Sequence, residues 1–234
     1  MDINRIPFYQ YNTIIVGTGA AGLNAAVTLH KLGQKNIALI TEGRYMGTSR
    51  NTGSDKQTYY KLTQCGSEPD SVRKMAETLF DGGCVDGDIA MAEAAGSLRA
   101  FYHLVDIGVP FPFNKSGEYV GYKTDHDPLK RGISAGPLTS KYMTECLERQ
   151  AEERGIPFFD GYQAVRLLTE EKNGEKWAAG IIALNKRKAA SADERYAVFS
   201  AVNIIWATGG EAGMYQASVY PVSQTGGTVS YTHL

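Results

Sequence analysis

Near the N-terminus the apolar positions change period twice. The run Thr13–Val16 has strand length, glycines follow, and Leu23, Ala26, Val27 and His30 then recur at helical spacing until Gly33 supplies a stop. A second apolar run, Ile37–Ile40, ends at Glu42. The alternation predicts a strand–helix–strand unit with its connections where such a unit needs them.

Downstream, "GRYMGTSRNTGSDKQTYY" is polar and rich in Gly, Ser and Thr, too long for a simple connector and read as a binding loop. Two helical patterns follow. "PDSVRKMAETLFDGG" has Pro69 near its start and Val72, Met75, Ala76 and Leu79 on one face, and "DIAMAEAAGSLRAFYHLVDIG" carries Ile89, Ala92, Leu98, Phe101 and Leu104 up to Gly108. "FPFNKSGEYVGYK" predicts a hairpin turning at Ser116-Gly117, and Pro137 opens a helix with face Leu138, Tyr142, Met143, Cys146 and Leu147, closing at Gly155. The texture then becomes stranded in "IPFFDGYQAVRLLTEE", "KWAAGIIALNKRK" and "RYAVFSAVNIIWATGG", with Lys172-Asn173-Gly174 as a turn. No internal repeat and no linker between independent domains is visible.

Within "GTGAAG", Gly17 permits a tight turn, Gly19 lets the backbone approach a pyrophosphate, and Gly22 lets the helix pack close to the sheet. Thr18, Ala20 and Ala21 complete the turn, and the helix N-terminus faces the phosphates with free N–H groups. Glu42, after the second strand, is placed to accept a ribose 2′-OH and to repel a 2′-phosphate. A dinucleotide site results, and the motif leaves FAD and NAD both open. The polar loop adds Gly43, Gly47, Thr48, Ser49, Thr52 and Gly53 as backbone and hydroxyl donors. At the far end "NIIWATGG" runs an apolar strand into Ala207, Thr208, Gly209 and Gly210, where small residues let the main chain lie against a cofactor.

Composition narrows the classes. The 234 residues are 43% hydrophobic and 21% charged with net charge −1, which suits a globular chain and offers no basic footprint for nucleic acid. The short run "NKRK" reads as a solvated hairpin end. No targeting leader and no membrane span is legible, so a cytoplasmic location is expected. Cys65, Cys84 and Cys146 lack disulfide or zinc spacing, and no metal site is expected. His30 and His103 read as packing or surface residues. His126, in "TDHDPLKR" with Asp125, Asp127 and Arg131, reads either as a solvated loop or as a cluster touching flavin or a substrate carboxylate, with Arg131 as the anion contact.

"VGTGAAGL", "TEG…GTSRNTG", "GIIALN" and "NIIWATGGEAGMY" resemble the FAD-binding domain of the fumarate reductase/succinate dehydrogenase flavoprotein family, which includes L-aspartate oxidase and ketosteroid dehydrogenases. The resemblance implies an α/β, Rossmann-like domain with a central parallel sheet, flanking helices and an added antiparallel β element. It also implies FAD at the glycine motif and Glu42, with contacts from Ala164, Thr208, Gly209 and Gly210. Respiratory members attach the flavin to a loop histidine; Thr48-Ser49-Arg50-Asn51 has none, so non-covalent FAD is expected. The implied reaction is hydride transfer between FAD and a carbon–carbon double bond of a small carboxylate, with an electron-donor protein or domain as a partner. An L-aspartate oxidase-like or ketosteroid dehydrogenase-like enzyme, a NAD-dependent dehydrogenase and a non-catalytic flavin-binding module are the alternatives.

"YPVSQTGG" resembles the turn before the family's capping domain, so residues 1–227 are expected to be the N-terminal part of the FAD-binding domain, without cap or catalytic residues, and inactive alone. "TVSYTHL" is the translation of ACT GTC TCT TAT ACA CAT CTN, which contains a transposase end used as a library adaptor, so 228–234 is expected to be a non-native tail. The codons for these residues check this: the adaptor sequence is expected, and different codons overturn it.

Overall fold

The structure is a computed structural model that describes residues 5–125, 127, 129–210, 215–218 and 220. His126 and the expected tail at 228–234 lie outside the described residues. In chain order the elements are β1 (Phe8–Val16), α1 (Ala20–Lys31), β2 (Ile37–Thr41), α2 (Thr48–Asn51), β3 (Tyr59–Tyr60), α3 (Val72–Asp81), α4 (Gly87–Asp106), β4 (Gly132–Ile133), α5 (Thr139–Glu153), β5 (Phe158–Asp160), β6 (Tyr162–Lys172), β7 (Glu175–Asn185) and β8 (Tyr196–Trp206). They fall into two compact units, one comprising the chain up to Thr52 and from Leu147 on, the other Gly53–Cys146.

The first unit is built on a six-stranded sheet of order β5-β2-β1-β8-β7-β6. β5, β2, β1 and β8 run parallel, while β7 and β6 add an antiparallel wing. β2 is buried at every position and β1 over its last four, as strands paired on both edges and covered on their faces must be. Ile14, Val16, Ile40, Ile181, Ala183, Ala197, Phe199 and Ala201 form one core cluster. Tyr9, Phe159 and Tyr162 surround the Phe199 ring at centroid distances of 5.0, 4.8 and 5.5 Å. The β6–β7 turn is the expected one: Asn173 and Gly174 both have positive φ, 56° and 82°, the backbone a two-residue hairpin loop demands. The run expected as one strand, "IPFFDGYQAVRLLTEE", instead breaks at Gly161 (φ 86°) into β5, which pairs with β2, and β6, which pairs with β7.

In the second unit α3 and α4 pack through Met75, Ala76, Ala90 and Ala94. Ser71 caps α3 by accepting from the Lys74 amide at 3.2 Å, and Asp86 caps α4 by accepting from Asp88 and Ile89. The buried stripe of α4 is Ala90, Ala94, Ser97, Phe101 and Leu104, which corrects the expected face: Ile89 is 64% exposed and Ala92 is exposed. Small residues win the contact because they let the two helices approach closely. The 111–123 segment turns at Asn114–Glu118 but forms no strand pair with itself; Tyr122 bridges Gly132 instead. Leu138, expected on the buried face of α5, precedes that helix and is exposed.

Buried charge organises this unit. Arg131, 1% exposed, makes a bidentate pair with Asp70 (2.9 and 2.7 Å) and donates to Tyr60 Oη at 3.0 Å and Thr78 Oγ1 at 2.9 Å. Asp127 accepts from Tyr60 and from Arg131. Burial alone would raise the Asp70 pKa, but Arg131 and the Thr63 and Ser71 amides outweigh it and hold the carboxyl below its ordinary range. Burial and the bond to Asp127 push Tyr60 up to about 12. Lys61 is fully buried, its ammonium 4.9 Å from the Phe101 ring centre, and burial lowers its pKa.

Because the folded Asp70 pKa lies below the unfolded one, its contribution to stability is present above the ordinary carboxylate range and is lost as pH falls through the folded value. Asp70→Asn is expected to cost roughly 3–5 kcal/mol, since it leaves Arg131 buried without its bidentate partner. Urea unfolding across acidic to neutral pH checks this, with a flatter acid slope expected for the variant.

Candidate cofactor site

The C-terminal ends of β2, β1 and β8 lie side by side, and their backbones close on one another with almost no side chain between them. Gly17 N donates to Ile40 O at 2.8 Å, and Ala207 N donates to Val16 O at 2.8 Å. Gly17 has φ 111°, and a Cβ there would lie 2.3 Å from the Ala207 carbonyl oxygen. A Cβ on Gly22 would lie 2.1 Å from the Gly17 carbonyl oxygen, so Gly22 seats the first turn of α1 on the strand end. Gly19 is the N-cap of α1, with no side-chain cap and no acid in the first turn. The helix therefore presents N–H groups and a partial positive charge to an anion.

This corner opens into a crevice of about 320 Å³. Gly17–Ala21 form its floor, and Glu42, Gly43, Met46–Ser49, Tyr162–Ala164 and Trp206–Gly209 line the rest. Of the residues expected from the sequence, Gly17, Thr18, Gly19, Ala20, Ala21, Glu42, Gly43, Gly47, Thr48, Ser49, Ala164, Ala207, Thr208 and Gly209 line it. Gly22 lies buried behind the floor, and Thr52, Gly53 and Gly210 are not among the lining residues. Met46 lines it from the loop after β2, and Tyr162, Gln163 and Trp206 line it from the start of β6 and the end of β8, which local sequence rules do not bring together. Burial pushes Tyr162 up to about 12, so its hydroxyl keeps its proton.

Hydroxyls in the crevice divide into two kinds. Thr18 donates to Thr41 at 3.0 Å, tying the glycine turn to the end of β2, and Ser49 accepts the Ala20 amide at 3.3 Å. The Thr48 hydroxyl is buried and has no partner among the described residues, a cost that a polar ligand in the crevice would relieve. An acid-free helix N-terminus, a backbone floor, a carboxylate at the ribose position and this orphan hydroxyl together fit the phosphates, ribose and ring of FAD.

The loop carrying Thr48 is clamped from behind. Glu148, on α5, accepts from both Arg44 and Arg50, Glu152 accepts from Arg44, and the Arg44 guanidinium lies 4.0 Å from the Phe158 ring centre. The run expected as a solvated hairpin end is exposed in the connection between the antiparallel strands β7 and β8, as a short 3₁₀ turn at Lys186–Lys188. Two of its charges nonetheless have partners: Lys186 donates to Glu42 at 2.6 Å and Arg187 to Asp160.

Arg131, the expected anion contact, belongs to the second unit, and its guanidinium is spent on Asp70, Tyr60, Thr78 and Asp127. Asp125 is exposed, 3.7 Å from Lys56, while Asp127 is buried, so the described part of this segment divides between solvent and the buried Arg131 network. His30 lies on α1 at 3.1 Å from the Lys35 ammonium. Among the described residues the cysteines are free and no group of metal-ligating side chains occurs. Gly22→Ala is expected to cost roughly 1–3 kcal/mol or more through overpacking against the Gly17 carbonyl. Thermal unfolding, with flavin binding measured in parallel, checks it.

The family described as FAD binding domain matches residues 12–232. L-aspartate oxidase of Agrobacterium fabrum is 27% identical over 220 residues, covering 92% of this chain and 38% of its own length. The 8-methylmenaquinol:fumarate reductase flavoprotein subunit of Wolinella succinogenes is 27% identical over 213 residues, covering 90% and 33%. Among solved structures, E. coli quinol fumarate reductase superposes with a TM-score of 0.74 at 20% identity over 90% of this chain and 34% of that one. The chain thus spans between a third and two fifths of the length of these relatives. A dinucleotide crevice of this construction and a match over nearly the whole sequence lead to one assignment: the chain belongs to the FAD binding domain family.

Proposed function

We propose that the chain is the FAD-holding part of an oxidoreductase that moves a hydride between FAD and the carbon–carbon double bond of a small carboxylate. The observation that carries the reading is the glycine-floored crevice at the N-terminus of α1, with Glu42 at its ribose end. Bound FAD supplies the hydride chemistry, and the protein supplies binding, orientation and charge. The α1 N-terminus and the Gly17–Gly19 backbone hold the pyrophosphate, Glu42 accepts from the ribose, and Ala164, Thr208 and Gly209 supply main-chain walls. Glu148 holds the Thr48 loop through Arg44 and Arg50.

Non-covalent attachment is part of the proposal, supported by a loop of Met46, Gly47, Thr48 and Ser49 that brings no histidine to the crevice. A carboxylate substrate is supported by relatives named for L-aspartate and fumarate. The L-aspartate oxidase reading stands beside the fumarate reductase one because both relatives are equally similar in sequence, at 27%. A redox partner and a cytoplasmic location are proposed with it; no described helix is long and apolar enough to cross a membrane. The substrate clamp is proposed to lie outside this chain, since Arg131 is consumed by its own unit.

Purified chain mixed with FAD is expected to bind one equivalent, to release all of it on acid precipitation, and to show no turnover of fumarate or L-aspartate. Binding of NAD without FAD overturns the reading. Flavin that stays with the acid precipitate overturns the non-covalent assignment, and turnover by the chain alone overturns the missing clamp.

A further inference from the structure

We infer that Lys186 is a positioning residue for the adenosine ribose of the cofactor, acting through Glu42. This rests on the proposed FAD reading and extends it to a residue that lies outside the glycine motif and far from it in sequence.

Geometry carries the argument. Lys186 Nζ donates to Glu42 Oε1 at 2.6 Å, across 144 residues of chain. No hydrogen bond of Glu42 Oε2 occurs among the described residues, so one oxygen is fixed and the other is left for a ligand hydroxyl. Glu42 lines the crevice, and Lys186 does not. A long, flexible carboxylate at the mouth of a crevice has several rotamers; a charge-assisted bond from behind selects one before the ligand arrives.

The lysine is itself held. Its amide donates to Gly161 O at 2.8 Å, and the Asn185 side chain caps the turn by accepting from the Arg187 amide at 3.1 Å. Arg187 pairs with Asp160, whose other oxygen accepts the Arg44 amide at 2.8 Å. Asp160 therefore has both oxygens engaged and serves as an anchor, whereas Glu42 keeps one free. Gly161 makes this possible, since a Cβ there would lie 3.2 Å from Arg187 Nε on a backbone with φ 86°. The turn is thus a fixed platform from which Lys186 reaches a single target.

The consequence is selective. Only a ligand with an adenosine ribose meets Glu42, so Lys186 affects FAD and leaves FMN untouched. Titration of the chain with FAD and with FMN, followed by flavin fluorescence, tests this. Lys186→Met is expected to weaken FAD binding by roughly tenfold with FMN affinity unchanged, and Lys186→Arg to restore most of the loss. Combining Lys186→Met with Glu42→Gln is expected to be no worse than Glu42→Gln alone. Lys186 is 43% exposed at its side chain, so an unchanged thermal midpoint is expected as well. Equal FAD affinity in wild type and Lys186→Met, or equal losses for FAD and FMN, overturns the inference. Failure of the unmodified chain to bind FAD overturns the proposed function and this inference with it.

Discussion

The cofactor end of the molecule depends on backbone meeting backbone at Gly17. Here the end of β1, the start of α1 and the end of β8 come within distances that no side chain allows, because the carbonyl oxygens of Ala207 and Gly17 occupy the places where Cβ atoms of Gly17 and Gly22 would be. Everything useful about the crevice follows from that proximity. The helix N-terminus sits at the strand ends, its Ala20 amide is taken by Ser49, the crevice opens beside this first turn, and the floor is peptide. A motif residue that never lines the crevice, Gly22, is as necessary to its shape as those that do.

Charged side chains are used in two contrasting ways. In the second unit Arg131 is enclosed and saturated, with Asp70 on one side of the guanidinium and Tyr60, Thr78 and Asp127 on the other. Such a group has no capacity left for a ligand; its role is to fix β3, β4 and the start of α3. Around the crevice the ion pairs act on loops. The nearly buried Glu148 steadies the segment with Thr48, and Asp160 steadies the turn with Lys186. The exposed Arg187–Asp160 pair is modest in energy, so its value is orientation more than stability.

What was legible in the sequence was what local rules govern. The β1-α1-β2 unit, the glycine spacing, Glu42, the Asn173-Gly174 turn and the small residues after β8 follow from periodicity, φ requirements and capping, which act over a few residues. What escaped depends on distant partners. Gly161 looks like any glycine inside a stranded run, and only the pairing of β5 with β2 and of β6 with β7 makes it a break. Arg131 in a polar loop looks like an anion contact until Asp70, 61 positions earlier, is seen to claim it. Ile89 is the more hydrophobic residue, yet the smaller Ala90 takes the buried face of α4, where α3 packs against it. Tyr162 and Trp206 join the crevice through sheet geometry alone.

The register that pairs Val16 with Trp206 has a bearing on how the crevice comes into being. The β1-α1-β2 unit can form from local contacts early in folding, but one wall of the crevice arrives only when β8 is threaded beside β1, a closure spanning most of the chain. Until then the glycine turn has no Ala207 carbonyl against it, and the nucleotide has a floor without a wall. The complete crevice is therefore a property of the whole sheet topology, and the β1-α1-β2 unit by itself holds only part of it.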